Sequence, residues 1–406
     1  MAEIGFGVVS FTAIVLVLAL FVLGAKRLLV PSGESQITVN DRKTFNASVG
    51  EKLLGVLSAE GIQLPSACGG AGTCGLCKIR ALDGGGEAGP QELAHMTRAE
   101  AAHGVRLACQ VPVLGAMSVE VEEASFGVRT WHGTVARVQN VATLIREIVI
   151  NLPEGEEMDF RAGGFVQITC PSFRVKYADF EIEDAYRDVW DKLDLWRLQA
   201  GAEDPVTRAY SMANHPGEKG VVILNVRIAL PPPHAKDIPP GVVSSWLFSL
   251  KPGDAVEMMG PFGHFFVEDT QKEAVFLGGG VGMAPLRAQI LDLLKTRGSK
   301  RKISFWYGAR SKRELFYTDV FDELQTEYEN FDWHVALSEP EPDDRWQGLA
   351  GFIDKVALDN YLEHHPAPED CEYYVCGPPL MVKAVRAMLD NLGVEAASIH
   401  YDDFGS

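Results

Sequence analysis

The chain has 406 residues, of which 47% are hydrophobic and 23% are charged, a globular composition. This length exceeds one ordinary domain and predicts two or three. The net charge of −18 argues against nucleic acid as a partner, because phosphate binding needs clustered Lys and Arg. Of the seven cysteines, three lie outside the motif described below (Cys170, Cys371 and Cys376), and this odd remainder fits a reducing compartment.

The first segment, residues 1–32, predicts a membrane anchor helix and a linker. Residues 4–25 are a run of 22 without a charge, and a helix of that length spans about 33 Å, enough for a hydrocarbon core of about 30 Å. Glu3 precedes the run, and Lys26 and Arg27 follow it, so the positive-inside rule places the rest of the chain in the cytoplasm. A buried core helix is the alternative, but such a helix normally shows a polar stripe.

Residues 33–125 predict a small α+β domain. The predicted elements are a hairpin over residues 36–40 and 43–48, a helix near 51–59, and strands near 78–82, 106–110 and 117–121. Strands that flank one helix, with cysteines on the intervening loop, match the β-grasp layout of ferredoxins.

Four cysteines of this domain, Cys68, Cys74, Cys77 and Cys109, predict an iron–sulfur centre. Five residues separate the first two and two separate the next pair, a small departure from the C-x4-C-x2-C spacing of plant-type ferredoxins with their distant fourth ligand. Glycines between them let backbone N–H groups turn toward sulfur. We therefore predict a 2Fe–2S cluster and one-electron chemistry. A structural zinc site is the alternative, since C-x2-C also suits zinc, whereas the crowded loop disfavours a disulfide.

Residues 130–268 are rich in strand patterns separated by turn residues, which predicts a small antiparallel barrel. The predicted strands are residues 131–138, 144–151, 165–169, 221–229 and 255–260. An acidic, aromatic stretch at 177–205 interrupts them and predicts a solvated insertion that is helical around 186–198. A surface loop and a docking site for a partner are equally open interpretations of this insertion.

Residues 272–406 alternate strand and helix, which predicts a parallel sheet in a doubly wound nucleotide-binding domain. The predicted strands are residues 274–277, 303–307, 333–336 and 373–376. A glycine loop and a helix over 285–294 follow the first of these strands.

Arg208, Tyr210 and Ser211, at the end of a predicted barrel strand, indicate a flavin site. An arginine pairs with phosphate through two parallel hydrogen bonds, and a tyrosine two residues on offers a flat ring in the same direction. Alone, the motif is as typical of a core tyrosine beside a surface arginine. The helix that begins after Gly241, with Ser244 in its first turn, strengthens the interpretation because a helix N-terminus binds phosphate readily.

Two strand-to-helix turns of the last domain indicate a pyrophosphate site. The residues concerned are Gly278, Gly279, Gly280, Gly282 and Pro285 in the first turn and Cys376, Gly377 and Pro378 in the second. Glycines permit a tight turn and the close approach of a pyrophosphate, although the pattern is not the G-x-G-x-x-G fingerprint. Cys376 is expected at the carboxyl edge of the sheet beside a nicotinamide; a buried structural thiol is the alternative.

Together, these motifs resemble the ferredoxin–NADP reductase superfamily over residues 130–406. With a ferredoxin domain in front, the chain is similar to two families: the soluble reductase components of bacterial oxygenases, such as methane monooxygenase, and the F subunits of the Na⁺-translocating NADH:quinone reductase. The membrane anchor, the five-residue cysteine gap and the acidic insertion favour the second family. The final residues, 399–406, also resemble that family, so the resemblance covers the whole chain.

The resemblance implies FAD, a 2Fe–2S cluster, and NADH as substrate. It adds Arg227 to the flavin residues and places Gly241 and Ser244 near the flavin phosphates. It also places Phe404 against the flavin, as a lid that moves aside for the nicotinamide. The implied catalytic residues are Ser211, Cys376 and Phe404.

The function implied by the resemblance is electron input. Hydride passes from NADH to FAD, electrons pass singly to the cluster and then to other membrane subunits, and ubiquinone reduction is coupled to Na⁺ export at the bacterial inner membrane. The alternatives are a reductase for a bacterial oxygenase and a membrane-tethered electron-transfer adaptor with a degenerate nucleotide site. The basic residues Arg310, Lys312 and Arg313 leave NADPH open as the coenzyme.

Overall fold

The computed structural model describes residues 11–12, 14–18, 21, 33–66, 68–232 and 238–402. The described residues before 33 are helical and exposed. Within the described ranges, no helix has both the length and the apolar character needed to cross a bilayer. The rest of the predicted anchor lies outside the described residues, and so does Phe404. The chain forms two compact units, Met1–Gly127 and Val128–Ser406.

The first unit contains a five-stranded mixed sheet packed against one helix. Its elements are β1 (Glu34–Val39), β2 (Lys43–Ser48), α1 (Leu53–Ala59), β3 (Lys78–Asp83), α2 (Pro90–Leu93), α3 (Arg98–Ala102), β4 (Val105–Leu107) and β5 (Met117–Glu120). The strand order is β2-β1-β5-β3-β4, with β1 and β5 parallel and the other neighbours antiparallel. Asn40 and Asp41 both have φ of 51° at the hairpin, a left-handed conformation that these side chains tolerate. Helix α1 buries its apolar side against the sheet.

The fourth strand is shorter than the sequence predicts. Strand β4 ends at Leu107, and the N–H of Gln110 donates to the carbonyl of Leu107 over 2.7 Å. The predicted extension to residue 110 is wrong because the chain turns here. This turn places Cys109 against Cys77.

The second unit begins with a six-stranded antiparallel barrel. The elements of this part are β6 (Arg129–Ala142), β7 (Ile145–Asn151), β8 (Phe165–Cys170), β9 (Phe173–Lys176), α4 (Asp184–Lys192), β10 (Gln199–Ala202), β11 (Val206–Ser211), β12 (Val221–Arg227), α5 (Val242–Ser249) and β13 (Ala255–Phe262). The strand order is β11-β8-β13-β6-β7-β12. The two edge strands approach each other after β11, where Met212 bridges to Leu224 and the N–H of Ala213 donates to the carbonyl of Ile223 over 2.7 Å. The sheet therefore closes on itself as a barrel.

The insertion at residues 177–205 is anchored in the core of the barrel. Tyr177 and Trp190 are fully buried there, and Trp190 Nε1 donates to the carbonyl of Thr143 over 2.9 Å. Burying a ring of this size contributes about 2 kcal/mol or more, which holds the segment against the barrel. Helix α4 ends at Lys192, and a two-stranded ribbon of β9 and β10 flanks it. The prediction of a solvated insertion with a helix reaching residue 198 is therefore wrong in part.

The second unit ends with a six-stranded parallel sheet. Its elements are β14 (Ala274–Gly279), α6 (Met283–Leu291), β15 (Ile303–Ala309), α7 (Thr318–Glu327), β16 (Phe331–Leu337), β17 (Leu349–Ala350), α8 (Ile353–Asn360), β18 (Glu372–Cys376), α9 (Pro379–Asn391) and β19 (Ile399–Asp402). The order is β17-β16-β15-β14-β18-β19, with α6 and α7 packed on one face and α8 and α9 on the other. This is the doubly wound fold that the sequence predicts, with β17 and β19 as additional strands. The order reverses at β14, the switch point where such sheets bind ligands.

Buried polar contacts join the barrel to the parallel sheet. Arg287 of α6 donates to the carbonyl of Ala213 over 2.6 Å and pairs with Glu218 at 3.1 Å. Gln289, two residues further on, donates from Nε2 to the carbonyl of Phe265 over 2.7 Å. Because α6 directly follows the glycine loop, these contacts fix the position of that loop relative to the barrel.

Candidate functional site

The four predicted cluster ligands come together in the first unit. The sulfurs of Cys68 and Cys74 are 3.3 Å apart, and the Cys77 thiol contacts that of Cys109. Cys77 and Cys109 are buried, whereas Cys68 and Cys74 are half-buried. Four thiols from two separate segments of the chain therefore face one small volume.

Backbone N–H groups of the loop point at the sulfur of Cys68. Burial opposes ionisation of this thiol, but the hydrogen bonds that it accepts lower its pKa to about 6. The backbone donors are those of Gly70, Thr73 and Cys74. This arrangement stabilises a thiolate before any metal is present.

In the buried half of the site, formed by Cys77 and Cys109, the surroundings oppose ionisation of the Cys77 thiol. Burial raises the pKa of Cys77 to about 12, and the adjacent Cys109 thiol adds to the effect. Buried thiols packed this closely cannot all ionise without a cation among them. An iron–sulfur cluster or a zinc ion would supply that charge and bind all four as thiolates. The donor set therefore fits a metal centre with four cysteine ligands.

Two glycines of the cysteine loop are favoured by their backbone conformation and by neighbouring side chains. A Cβ on Gly72 would lie 2.5 Å from Nε2 of Gln110 and 2.8 Å from Nε2 of Gln91. A Cβ on Gly75 would lie 2.8 Å from the Cβ of His95. Both glycines also have positive φ, +79° and +68°, a conformation that side chains rarely adopt. Their surroundings hold the loop tightly around the four sulfurs.

The predicted flavin residues lie on the barrel strands β11 and β12. Arg208 is exposed and Tyr210 half-buried; burial raises the pKa of Tyr210, while the neighbouring Arg208 partly offsets this rise. Ser211, at the end of β11, donates from Oγ to Oδ2 of Asp402 over 3.4 Å. Arg227 is exposed at the end of β12. An exposed guanidinium beside a neutral aromatic ring suits a phosphate-bearing ring system such as FAD.

The hydroxyl of Ser244 is engaged in the turn that begins α5. It donates to the carbonyl of Gly241 over 3.1 Å and accepts from the N–H of Ala229 over 3.1 Å. A Cβ on Gly241 would lie 2.6 Å from the Cβ of Ala229, so the turn needs glycine at that position. The group that remains to meet a phosphate is the N-terminal backbone of α5 rather than the Ser244 side chain.

The two predicted nicotinamide turns form a single site at the switch point of the sheet. A Cβ on Gly282 would lie 2.0 Å from the carbonyl oxygen of Cys376, and one on Gly377 would lie 3.0 Å from the carbonyl oxygen of Gly279. Because no side chain fits between the two turns, the backbone forms their contact surface. A pyrophosphate can therefore approach main-chain N–H groups directly.

Three further predicted residues of this site, Gly278, Pro285 and Pro378, determine the backbone conformation and packing around the two turns. A Cβ on Gly278 would lie 2.7 Å from Cδ1 of Leu286, so glycine lets α6 pack on β14. Pro285 lies in the first turn of α6 and Pro378 immediately before α9, positions where a missing N–H costs little. Cys376 is fully buried at the carboxyl end of β18, as the structural-thiol interpretation expects, and its place beside a nicotinamide stays a prediction.

Asp402 is a site residue that the sequence did not predict. It ends β19 and lies opposite Cys376 in the parallel register. Its Oδ2 accepts from Ser211, and its Oδ1 lies 3.9 Å from Nε2 of His264. In the sequence, Asp402 is only an acidic residue near the C-terminus. Its position at the site follows from the strand that residues 399–402 form beside β18.

Three protein-family models match the chain in succession. The 2Fe-2S iron-sulfur cluster binding domain matches residues 37–114, the oxidoreductase FAD-binding domain 195–267 and the oxidoreductase NAD-binding domain 276–387. The first match decides between a cluster and zinc in favour of the cluster. The cofactor set is thus a 2Fe–2S cluster, FAD and a site for NADH, as the sequence predicts.

Curated relatives match over nearly the full length. The F subunit of the Na(+)-translocating NADH-quinone reductase of Neisseria meningitidis serogroup C / serotype 2a (strain FAM18) is 54% identical over 403 residues, 99% of this chain and 100% of that protein. The protein of the same name from Marinomonas sp. (strain MWYL1) is 55% identical over 403 residues, 99% of both chains. This chain belongs to the same family of F subunits.

Solved structures share the fold over most of the chain. The cytochrome P450 reductase GcoB of Amycolatopsis matches with a TM-score of 0.66 and 25% identity, over 91% of this chain and 98% of that one. The ferredoxin reductase in carbazole 1,9a-dioxygenase matches with a TM-score of 0.59 and 24% identity, over 92% of this chain and 99% of that one. The second likeness is evidence of fold alone.

Carboxylates pair with two of the three basic residues that left NADPH open. Arg310 pairs with Glu339 at 3.0 Å, and Arg313 pairs with Glu341 at 2.8 Å. Lys312 lies between these two paired arginines. These ion pairs engage two of the three cations with which a 2′-phosphate could pair.

A second group of metal-binding residue types, Glu273, His365 and Cys371, lies within the sheet domain, with their ligand atoms within 4.8 Å of one another. The N–H of Ala367 donates to Nδ1 of His365 over 3.3 Å, which leaves the ring proton on Nε2. That proton faces Glu273 Oε2 at 3.2 Å, and Tyr361 donates to the same carboxylate. Burial raises the pKa of Cys371 to about 12. These groups satisfy one another as a hydrogen-bonded network and leave no imidazole lone pair for a metal.

Proposed function

We propose that this chain is the electron-input subunit of a Na⁺-translocating NADH:ubiquinone reductase. Hydride passes from NADH to FAD, electrons pass singly to the 2Fe–2S cluster, and other membrane subunits take them to ubiquinone with coupled Na⁺ export. One observation supports this above all others: the 54% identity to an F subunit of that reductase spans 99% of the chain. It therefore includes the cysteine loop, the flavin residues and the nicotinamide turns together.

The proposed segments follow the sequence: an anchor and linker over residues 1–32, a cluster domain over 33–125, an FAD domain over 130–268 and an NADH domain over 272–406. The proposed cluster ligands are Cys68, Cys74, Cys77 and Cys109. The proposed FAD residues are Arg208, Tyr210, Ser211, Arg227, Gly241 and Ser244. The proposed NADH residues are Gly278, Gly279, Gly280, Gly282, Pro285, Cys376, Gly377 and Pro378. Phe404 stays a prediction as the flavin lid.

The residues of the chain bind and align the reactants. Bound FAD supplies the conversion between two-electron hydride chemistry and one-electron transfer. Arg208 offers two parallel hydrogen bonds to a phosphate, and Tyr210 offers a neutral ring for stacking. The Ser211–Asp402 hydrogen bond fixes the serine hydroxyl where barrel and sheet meet. Hydride transfer needs no acid or base, only rings held at reacting distance, and these contacts serve that alignment.

The order of electron flow is tested by Cys74→Ala in the full chain. We expect the visible absorbance of the cluster to be lost while NADH still reduces the flavin in a stopped-flow experiment. Cys170→Ala, at a buried cysteine of the barrel core, is the control and should keep both signals. If Cys74→Ala stops flavin reduction, the order is wrong. If the wild-type chain with bound FAD fails to oxidise NADH with an artificial acceptor, the enzyme assignment is wrong.

The inner-membrane location is supported by the uncharged run at residues 4–25 and the lysine and arginine that follow it. Full-length chain and a variant lacking residues 1–26 would be compared in alkaline-washed bacterial membranes. The full-length chain should stay in the membrane fraction, and the truncated chain should be released and still oxidise NADH. Retention of the truncated chain would contradict the anchor.

A further inference from the structure

Gln110 donates a hydrogen bond to one of the four cysteine sulfurs. Its Nε2 lies 3.3 Å from Sγ of Cys109. The backbone of Gln110 is held on both sides, since its N–H donates to Leu107 over 2.7 Å and its carbonyl accepts from Nζ of Lys52 over 2.9 Å. The side chain therefore reaches the sulfur from a fixed position at the turn after β4.

A second glutamine lies beside Gln110 and makes a different contact. Both side-chain nitrogens approach Gly72, at 2.5 Å and 2.8 Å from the position a Cβ would take there. However, Nε2 of Gln91 donates to the carbonyl of Ala71 over 3.0 Å, whereas Nε2 of Gln110 donates to sulfur. The two glutamines form a matched pair: both pack on the cysteine loop, and one of them is bonded to a ligand.

We propose that Gln110 is a positioning residue that raises the reduction potential of the 2Fe–2S cluster through its hydrogen bond to Cys109. A donor to a ligand sulfur withdraws negative charge and favours the reduced cluster, which carries one more electron. The sulfurs of Cys68, Cys74 and Cys77 receive backbone donors, which every substitution except proline leaves in place. The donor to Cys109 is a side chain. A substitution at residue 110 can therefore change the reduction potential of the cluster.

This inference rests on the proposed assignment of the cluster to the four cysteines. The hydrogen bond is expected to affect one step of the reaction, the transfer of electrons from the flavin to the cluster. A higher cluster potential favours the electron's departure from the flavin, so the hydrogen bond should speed the internal transfer and leave hydride transfer from NADH unchanged. The same hydrogen bond also holds Cys109 in its orientation at the buried side of the site.

The test is a redox titration of the purified full chain, with the reduced cluster followed by electron paramagnetic resonance at pH 8. Gln110→Leu should shift the cluster midpoint to a more negative potential. Gln110→Glu, which replaces the donor with a negative charge, should shift it further in the same direction. Gln91→Leu should leave the potential where it is, while iron is lost faster because the loop is loosened. The flavin midpoint should stay at the wild-type value in all three variants.

Equal midpoints in wild type, Gln110→Leu and Gln110→Glu would overturn the proposal, as would an equal shift in Gln91→Leu. Partial cluster loss does not obscure the result, because the titration detects loaded clusters alone. Should both Gln110 variants lose the cluster entirely, wild-type chain labelled with ¹⁵N in glutamine side chains gives the answer. Pulsed resonance should then detect a weak ¹⁵N coupling both in wild type and in Gln91→Leu, and its absence from either chain would overturn the proposal. If the wild-type chain itself carries no cluster, the assignment to the four cysteines fails instead.

Discussion

Oγ of Ser211 donates to Oδ2 of Asp402 over 3.4 Å, which joins the last residue of β11 to the last residue of β19. One partner belongs to the barrel and the other to the parallel sheet. Because Asp402 also lies opposite Cys376 in register, the contact places a carboxylate, a hydroxyl and a thiol at one edge of the sheet. The proposed hydride-transfer site is therefore shared between the flavin and nicotinamide halves of the second unit.

The first prediction concerns that contact. Asp402→Asn removes the charge from the acceptor of the Ser211 hydroxyl, and charged acceptors form the stronger hydrogen bonds. We expect flavin reduction by NADH to slow about tenfold, equivalent to about 1.4 kcal/mol, with a smaller change in the apparent NADH affinity. Stopped-flow absorbance over a range of NADH concentrations separates the two effects. Tyr401→Phe, at the preceding residue of β19, is the control, and equal rates in Asp402→Asn and wild type would contradict the role.

The second prediction concerns Gly282. A Cβ there would lie 2.0 Å from the carbonyl oxygen of Cys376, and backbone cannot yield as a flexible side chain can. Gly282→Ala should therefore push the two nicotinamide turns apart, at a cost of about 2–4 kcal/mol, and weaken NADH binding at least tenfold. Gly115→Ala is the control, because Gly115 has no positive φ and has open space around it. NADH titration measures binding, and thermal unfolding measures the stability of both variants. Normal NADH binding by Gly282→Ala would contradict the prediction.

The third prediction concerns the coenzyme. The ion pair of Arg310 with Glu339 is exposed, so it contributes little to stability, but its carboxylate should repel a 2′-phosphate. We expect wild-type chain to prefer NADH and Glu339→Gln to raise kcat/KM for NADPH about tenfold, or about 1.4 kcal/mol of discrimination. The value for NADH should stay nearly constant. Glu329→Gln, before the amino end of β16 at the opposite edge of the sheet, should change neither value. An unchanged coenzyme ratio in Glu339→Gln would exclude this carboxylate as a determinant.

The fourth prediction concerns acid sensitivity of the second unit. Burial opposes ionisation of Glu218, but its hydrogen bonds with Arg287 prevail and hold its pKa below the ordinary value of 4.5. A folded-state pKa below the unfolded one means that the pair stabilises the fold above about pH 4.5, and that this stability is lost as the pH falls through the folded value. Glu218→Gln should therefore lower the free energy of unfolding at pH 7 by about 2–3 kcal/mol. The midpoint temperature of FAD release should fall with it.

The difference between Glu218→Gln and wild type should shrink steadily below pH 4.5, because both chains then lack the carboxylate charge. Glu157→Gln breaks an exposed pair with Lys219 at 3.3 Å and should have almost no effect at either pH. FAD fluorescence during heating measures all three chains. A constant difference between Glu218→Gln and wild type from pH 7 to pH 4 would show that the charge is not the cause.

Much of the site follows from short stretches of sequence. The cysteine spacing, the Arg208–Ser211 motif and the two glycine turns each place their functional groups within a few residues, where the local backbone determines the geometry. Strand and helix periodicity likewise predicts the barrel and the doubly wound sheet, because alternating burial is a local pattern. The insertion at 177–205 is the instructive exception: its acidic composition indicates solvent, whereas Trp190 packs into the barrel core from a distant segment.

The sequence by itself thus determined the cofactor chemistry, and it predicted the order of the segments and four candidate ligands of the cluster. The tertiary structure alone decided which other side chains contact those predicted residues. Asp402 meets Ser211 across 191 positions, Glu339 pairs with Arg310 from the segment that follows β16, and Gln110 reaches Cys109 because the chain turns where a strand was expected. Each of these contacts depends on how strands are ordered or where they end. Those features are settled by packing over the whole domain, so no local pattern records them.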